Sequence, residues 1–112
     1  MANVYKNQGF ALSTTDLTSI YTVPTGRTTI IKSIQITNEH SSNNLIEISI
    51  TDTSASATYE IYHSTMAAGT TENGALSAII MESGDILKIQ VGVADKIEGI
   101  ISFLEIFDEK SA

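Results

Sequence analysis

Isoleucine occupies every second position through residues 45–51, with Ile46, Ile48 and Ile50 alternating with Glu47, Ser49 and Thr51. A period of two sends one set of side chains to one face of an extended strand and the other set to the opposite face. The segment therefore needs a core on one side and water on the other. Residues 85–93 repeat the device, with Leu87, Ile89, Val91 and Val93 expected inward and Lys88 and Gln90 outward. Seventeen isoleucines and fourteen threonines, both β-branched, stand against one proline and no tryptophan, so the composition is that of a sheet protein.

Residues 28–37 read as a longer, central strand in which Ile30, Ile34 and Ile36 share a phase around Lys32 and Ile31 begins the opposite face. Less regular apolar spacing marks further strands at 4–12, 18–23, 58–63 and 75–81. Turn residues separate them: Pro24-Thr25-Gly26, Ser41-Ser42-Asn43-Asn44, and the stretches 52–57, 67–74 and 83–85. No segment carries a sustained helical spacing with caps, and only a short turn is expected at 64–68. Seven to nine short strands in 112 residues predict an all-β chain: a single antiparallel two-sheet β-sandwich domain over residues 1–112, jelly-roll-like or immunoglobulin-like. Residues 109–112 are expected to fray.

The final strand, residues 97–107, departs from the alternation. One parity carries Ile97, Ile101, Phe103 and Phe107, and the other carries Ile100, Leu104 and Ile106. Such a strand is either covered on both faces by its own domain or leaves an apolar patch for a partner. On the second reading Ile97, Ile101, Phe103 and Phe107 are the interface candidates, rimmed by Glu98, Glu105, Asp108 and Glu109.

Charge and composition exclude several function classes. Thirteen acidic against six basic residues give a net charge of -7, the wrong sign for tracking a nucleic-acid backbone, so no nucleic-acid partner is expected. The absence of cysteine removes disulfides, thiolate nucleophiles and cysteine-ligated metals. No 18-residue apolar run exists, and the opening Met-Ala-Asn-Val-Tyr-Lys lacks the regions of a signal peptide, so neither membrane insertion nor export is expected.

Catalytic signatures are also missing. His40 and His63 lie in or beside different loops without metal-ligand spacing, and Asp52-Thr53-Ser54-Ala55 lacks the pattern of a calcium loop and suits an Asx turn. There is no GxSxG elbow, and Gly69, Gly74 and Gly84 form neither a P-loop nor a dinucleotide fingerprint. Of Tyr59 and Tyr62, which have opposite parity, one should face solvent. The expectation is a non-enzymatic chain with no catalytic residues, no cofactor and no bound metal.

One cadence stands out: Leu17-Thr18-Ser19-Ile20-Tyr21-Thr22-Val23-Pro24-Thr25-Gly26-Arg27, then Thr28-Thr29-Ile30-Ile31-Lys32-Ser33-Ile34-Gln35-Ile36-Thr37-Asn38. With Glu82-Ser83-Gly84-Asp85-Ile86-Leu87-Lys88-Ile89-Gln90, which looks like a penultimate hairpin, it resembles small virion structural proteins of tailed bacteriophages of cyanobacterial and marine hosts. The shared segments cover about half the chain. Pro24 presets the turn entry and Gly26 supplies its left-handed position, so the chain reverses tightly there. The resemblance implies a particle component assembled in the host cytoplasm, either a capsid decoration (cement) protein or part of the neck, tail or fibre, where a loop could bind a host glycan. Other virion proteins, the major capsid protein first among them, and further copies of the chain are the implied partners. A small subunit repeated about a symmetry axis buries apolar surface it could not bury alone.

Overall fold

Nine strands follow from these patterns in the computed structural model, which describes residues 3–108. They are β1 (Asn3–Ala11), β2 (Thr18–Thr22), β3 (Arg27–Asn38), β4 (Asn44–Asp52), β5 (Ala57–Met66), β6 (Thr71–Asn73), β7 (Ile79–Met81), β8 (Ile86–Val91) and β9 (Ile97–Phe107). They form two antiparallel sheets. The first runs β1-β9-β3 with β6 and β7 sharing the far side of β3, and the second runs β2-β8-β4-β5. The expected two-sheet sandwich is therefore the observed fold, and residues 109–112, expected to fray, lie outside the described residues.

The pairing order decides between the two topologies left open by the sequence. β1 pairs β9, β2 pairs β8, β3 pairs β6 and β7, and β4 pairs β5, so the chain is one long antiparallel ribbon with its tip at the β4–β5 hairpin. Successive pairs of that ribbon fall in alternate sheets, which is the jelly roll and not the immunoglobulin arrangement. The Pro24–Gly26 turn closes as expected, with the Arg27 amide donating to the Pro24 carbonyl at 3.2 Å and Gly26 at φ +81°. It carries the chain from one sheet to the other, however, and does not join paired strands. The same correction applies at residues 82–85: β7 and β8 lie in different sheets, so that turn makes no hairpin.

The core between the sheets contains Ile31, Ile34, Ile36, Ile46, Ile48, Leu87, Ile89 and Ile101, none of them exposed. Several details depart from the sequence pattern. A β-bulge in the pairing of β3 with β9, between Ile31 and Ser33, makes Lys32 an extra residue that resets the strand's phase. Ile31, Ile34 and Ile36 thus share the inner face, and Ile30 faces outward opposite Leu104. Val93, expected inward, falls beyond the end of β8 and is 37% exposed. The stretch at 67–74, expected to be a loop, contains β6, while only Ile79–Met81 of the expected strand at 75–81 is extended. The short turn comes after Met66, since 64–66 continue β5.

Buried asparagines tie the loops at one end. Asn38 Nδ2 donates to the carbonyls of Ser42, Met66 and Ala67, while its Oδ1 accepts from the His40 amide. Asn44 brackets Val93 in the same way, through both its amide nitrogen and its oxygen. A buried amide group with every valence used fixes loop positions that backbone ladders cannot reach. Asp52 makes the expected Asx turn, accepting from Ser54 Oγ at 2.9 Å and from the Ala55 amide at 3.3 Å.

Candidate interaction surface

β9 is central in its sheet, flanked along its length by β1 and β3. Its two parities meet different surroundings. Ile97, Ile101 and Phe103 point into the sandwich and are almost fully buried, with the Phe103 ring 4.6 Å from that of Tyr21. Three of the four residues expected to form an interface are thus core residues of this chain. The fourth, Phe107, is half-buried, and the Arg27 guanidinium stacks 4.1 Å from its ring centroid. The reason is geometric: inward parity on a central strand meets the opposite sheet before any partner can.

Glu105, expected on the rim, is also inside, with a side chain only 2% exposed. Its carboxylate accepts from Lys6 Nζ at 3.2 Å, Arg27 Nη1 at 2.8 Å and the Tyr21 hydroxyl at 2.9 Å. Because the phenolic proton is committed to Glu105, Thr29 Oγ1 donates to the Tyr21 oxygen, 2.7 Å away. Burial alone would push the Glu105 carboxyl up. The hydrogen bond from Tyr21, followed by those from Lys6 and Arg27, outweighs burial and holds it below its ordinary value. Burial and the neighbouring carboxylate push the Tyr21 phenol up to about 12, against the opposing hydrogen bond from Thr29. One ionised network thereby joins β1, β2, β3 and β9.

The opposite parity of β9 builds the exposed face. Leu104 stands opposite Tyr5 of β1 on one side and Ile30 of β3 on the other, and Ile30 in turn stands opposite Ile80 of β7. Tyr5, Leu104, Ile30 and Ile80 are therefore one cross-strand row over four adjacent strands. Tyr5 is 75% and Ile80 68% exposed, with Leu104 and Ile30 half-buried between them. Ile106 extends the apolar surface one step along β9. Beside the row, an open depression of about 460 Å³ is bordered by Gly9, Gln35, Thr37, Glu98 and Ile100. Beneath it, Gly99 has no room for a side chain: a Cβ would run into the Gln35 carbonyl oxygen and the edge of the Phe10 ring.

The remaining polar candidates fall apart from this face. Two carboxylate-rich groups come together, Glu47 with Glu60 and His63, and Asp52 with Glu82 and Asp85. His63 Nδ1 lies 3.2 Å from both glutamates on the solvent side of β4 and β5. Asp85 already accepts the amides of Thr53 and Glu82, which ties two turns together. Of the two tyrosines of opposite parity, Tyr59 is the exposed one, while the Tyr62 hydroxyl donates to Glu72 and its phenol is raised, chiefly by burial. The signal that could have located the exposed row was in hand, since Ile100, Leu104 and Ile106 are the second parity of β9. What sequence reasoning lacked was which parity faced the other sheet.

No protein-family model and no curated protein matches the chain. Among solved structures, a chain of the disulfide-linked pili that form Bacillus endospore appendages has the same fold, with a TM-score of 0.58 at 10% identity over 96% of this chain and 88% of that one. A chain from the particle of the Macrobrachium rosenbergii extra small virus aligns with a TM-score of 0.40 at 11% identity, over 99% and 82% of the two chains. The second score is too low to argue from, and the first establishes likeness of fold.

Proposed function

We propose that this chain is a non-enzymatic structural subunit of a tailed-bacteriophage virion, a decoration protein that seats on the major capsid protein and stabilises the head by subunit contacts. The observation that carries this reading is the Tyr5–Leu104–Ile30–Ile80 row, an apolar band displayed on a regular sheet face. A large aliphatic or aromatic side chain contributes roughly 1.5 to 3 kcal/mol when it leaves water, so two or three in the row suffice to anchor a small subunit. The net charge of -7 discourages indiscriminate association of free copies and favours a basic lattice. A second reading, an axial component of the neck, tail or fibre, draws support from the likeness in fold to a pilus subunit. Because this chain has no cysteine, any assembly it forms is held without disulfides, unlike those pili.

Labelled protein added to purified particles tests the assignment by electron microscopy. Density on the head lattice supports the decoration reading, whereas density confined to the tail axis transfers it to the second. Broad hydrolase and glycan-array screening tests the absence of enzymatic and sugar-binding roles. A hit abolished by His40→Ala, His63→Ala or Tyr59→Ala would overturn that part.

A further inference from the structure

The four sheet edges differ sharply. On the far side of the first sheet, β6 and β7 are three residues each and interrupted by residues 74–78. In the second sheet, β2 has five residues with a register shift between Ser19 and Tyr21, and Gln8 Nε2 already donates to its Ile20 carbonyl. At the other end, the ten-residue β5 pairs across a bulge and carries Glu60 and His63. Short, bulged and charged edges are the usual protections against strand addition. β1 is neither short nor bulged, and its single charge, Lys6, is paired with Glu105. It is nine residues long, in unbroken register with β9, without proline, and no strand pairs with its other side among the described residues.

The Leu12 amide donates to the Ile97 carbonyl at 3.0 Å, in line with the β1–β9 register, so the even-numbered residues of β1 turn their backbone groups toward β9. The N–H and C=O groups of Asn3, Tyr5, Asn7, Gly9 and Ala11 consequently point to the open edge. None of the thirteen acidic residues of the chain lies in β1, and its one cation, Lys6, reaches back to Glu105. In a molecule of net charge -7, this edge is where two copies approach with least repulsion.

We infer that the open edge of β1 pairs antiparallel with β1 of a second copy about a two-fold axis at Asn7, joining the two first sheets into one continuous sheet. The inference rests on the reading of the chain as an assembling subunit. This register overlaps all of Asn3–Ala11 and sets the outward backbone groups of one copy against those of the other. It places Tyr5 across from the second copy's Gly9, where the absence of a side chain leaves room for the ring beside the exposed Ile100. Lys6 faces Gln8 of the second copy. A two-fold at Lys6 would instead set two ammonium groups against each other. The dimer also brings the two apolar rows onto one face, with their Tyr5 ends flanking the junction at positions offset by four residues along the paired strands.

Sedimentation and residue-resolved hydrogen exchange on the wild-type protein test this at low and high concentration. We expect a monomer–dimer equilibrium in which the amides of Tyr5, Asn7, Gly9 and Ala11 exchange at least about tenfold more slowly at high concentration. Asn7→Pro removes a donor that β9 does not use, and should abolish the dimer while leaving the melting transition in place. Asn7→Lys, which sets like charges together at the axis, should do the same without altering the backbone. Oligomers that form with these four amides still exchanging freely, or that survive both substitutions, would overturn the edge pairing and leave the subunit reading standing. A chain that stays monomeric at every concentration and fails to bind particles would overturn both.

Discussion

The two faces of β9 are nearly equal in apolar content and opposite in fate. On one, Ile97, Ile101 and Phe103 are locked between the sheets beside a buried carboxylate; on the other, Leu104 and Ile106 stay half in water. Residue type alone does not separate them. What separates them is that the second sheet covers one face and no other part of the described chain covers the other. An apolar strand face is therefore evidence of an interface only after the cover supplied by the chain itself has been subtracted.

The sharpest way to break this comparison is on the inner face. Phe103→Ser removes a buried ring that packs on Tyr21 and should cost about 4 kcal/mol, seen as a large fall in the urea midpoint. Little loss of stability there would mean that the inner face does not hold the sandwich together.

Glu105→Ala follows at roughly 2 to 3 kcal/mol, because the buried Tyr21 hydroxyl is left without its acceptor and the part-exposed Arg27 and Lys6 lose their counter-ion. Its pH signature has a definite sign. The folded carboxyl titrates below its ordinary value of 4.5, so its contribution is complete above that value and is lost as the pH falls through the lower folded value. Acid titration of the wild type should show this loss, and the variant should lack it.

Tyr21→Phe is expected to cost about 1 to 2 kcal/mol, by removing the donor to Glu105 and leaving Thr29 without its acceptor. The phenol rises from 10.0 to about 12 on folding, so its stabilising effect is full below pH 10 and disappears as the pH climbs toward 12. Alkaline melts of wild type and variant should converge across that interval.

The smallest stability effects belong to the outer face. Leu104→Ser should cost about 1 kcal/mol, and Ile80→Ser should change stability by no more than about 0.5 kcal/mol. Both should weaken particle binding far more than folding, as a co-sedimentation assay would read. Normal binding by both variants would remove the row from the proposed contact.

Much of this architecture was legible because alternation is a local property. Ile46, Ile48, Leu87 and Ile89 went inward as their spacing required, and β9 begins and ends where its apolar run does. The phase of β3 was misread because a bulge at Lys32 leaves no mark in a count of apolar residues. Glu105 was misread for a related reason. A glutamate flanked by Leu104 and Ile106 looks like a rim residue until Lys6, Tyr21 and Arg27, each 78 or more positions away, converge on it. The candidate surface stood half-legible, with its residues in view and their direction hidden.

By itself the sequence determined an all-β sandwich, its strand-forming stretches and the turn chemistry at Pro24–Gly26, since backbone geometry and side-chain period act over a few neighbouring residues. The tertiary structure alone decided that the ribbon rolls into a jelly roll, that Glu105 is buried as an ion, and that Leu104 and not Phe103 faces outward. Those outcomes depend on which sheet lies against which face and on groups far apart in the chain, and no local pattern encodes a neighbour that arrives from the other end of the molecule.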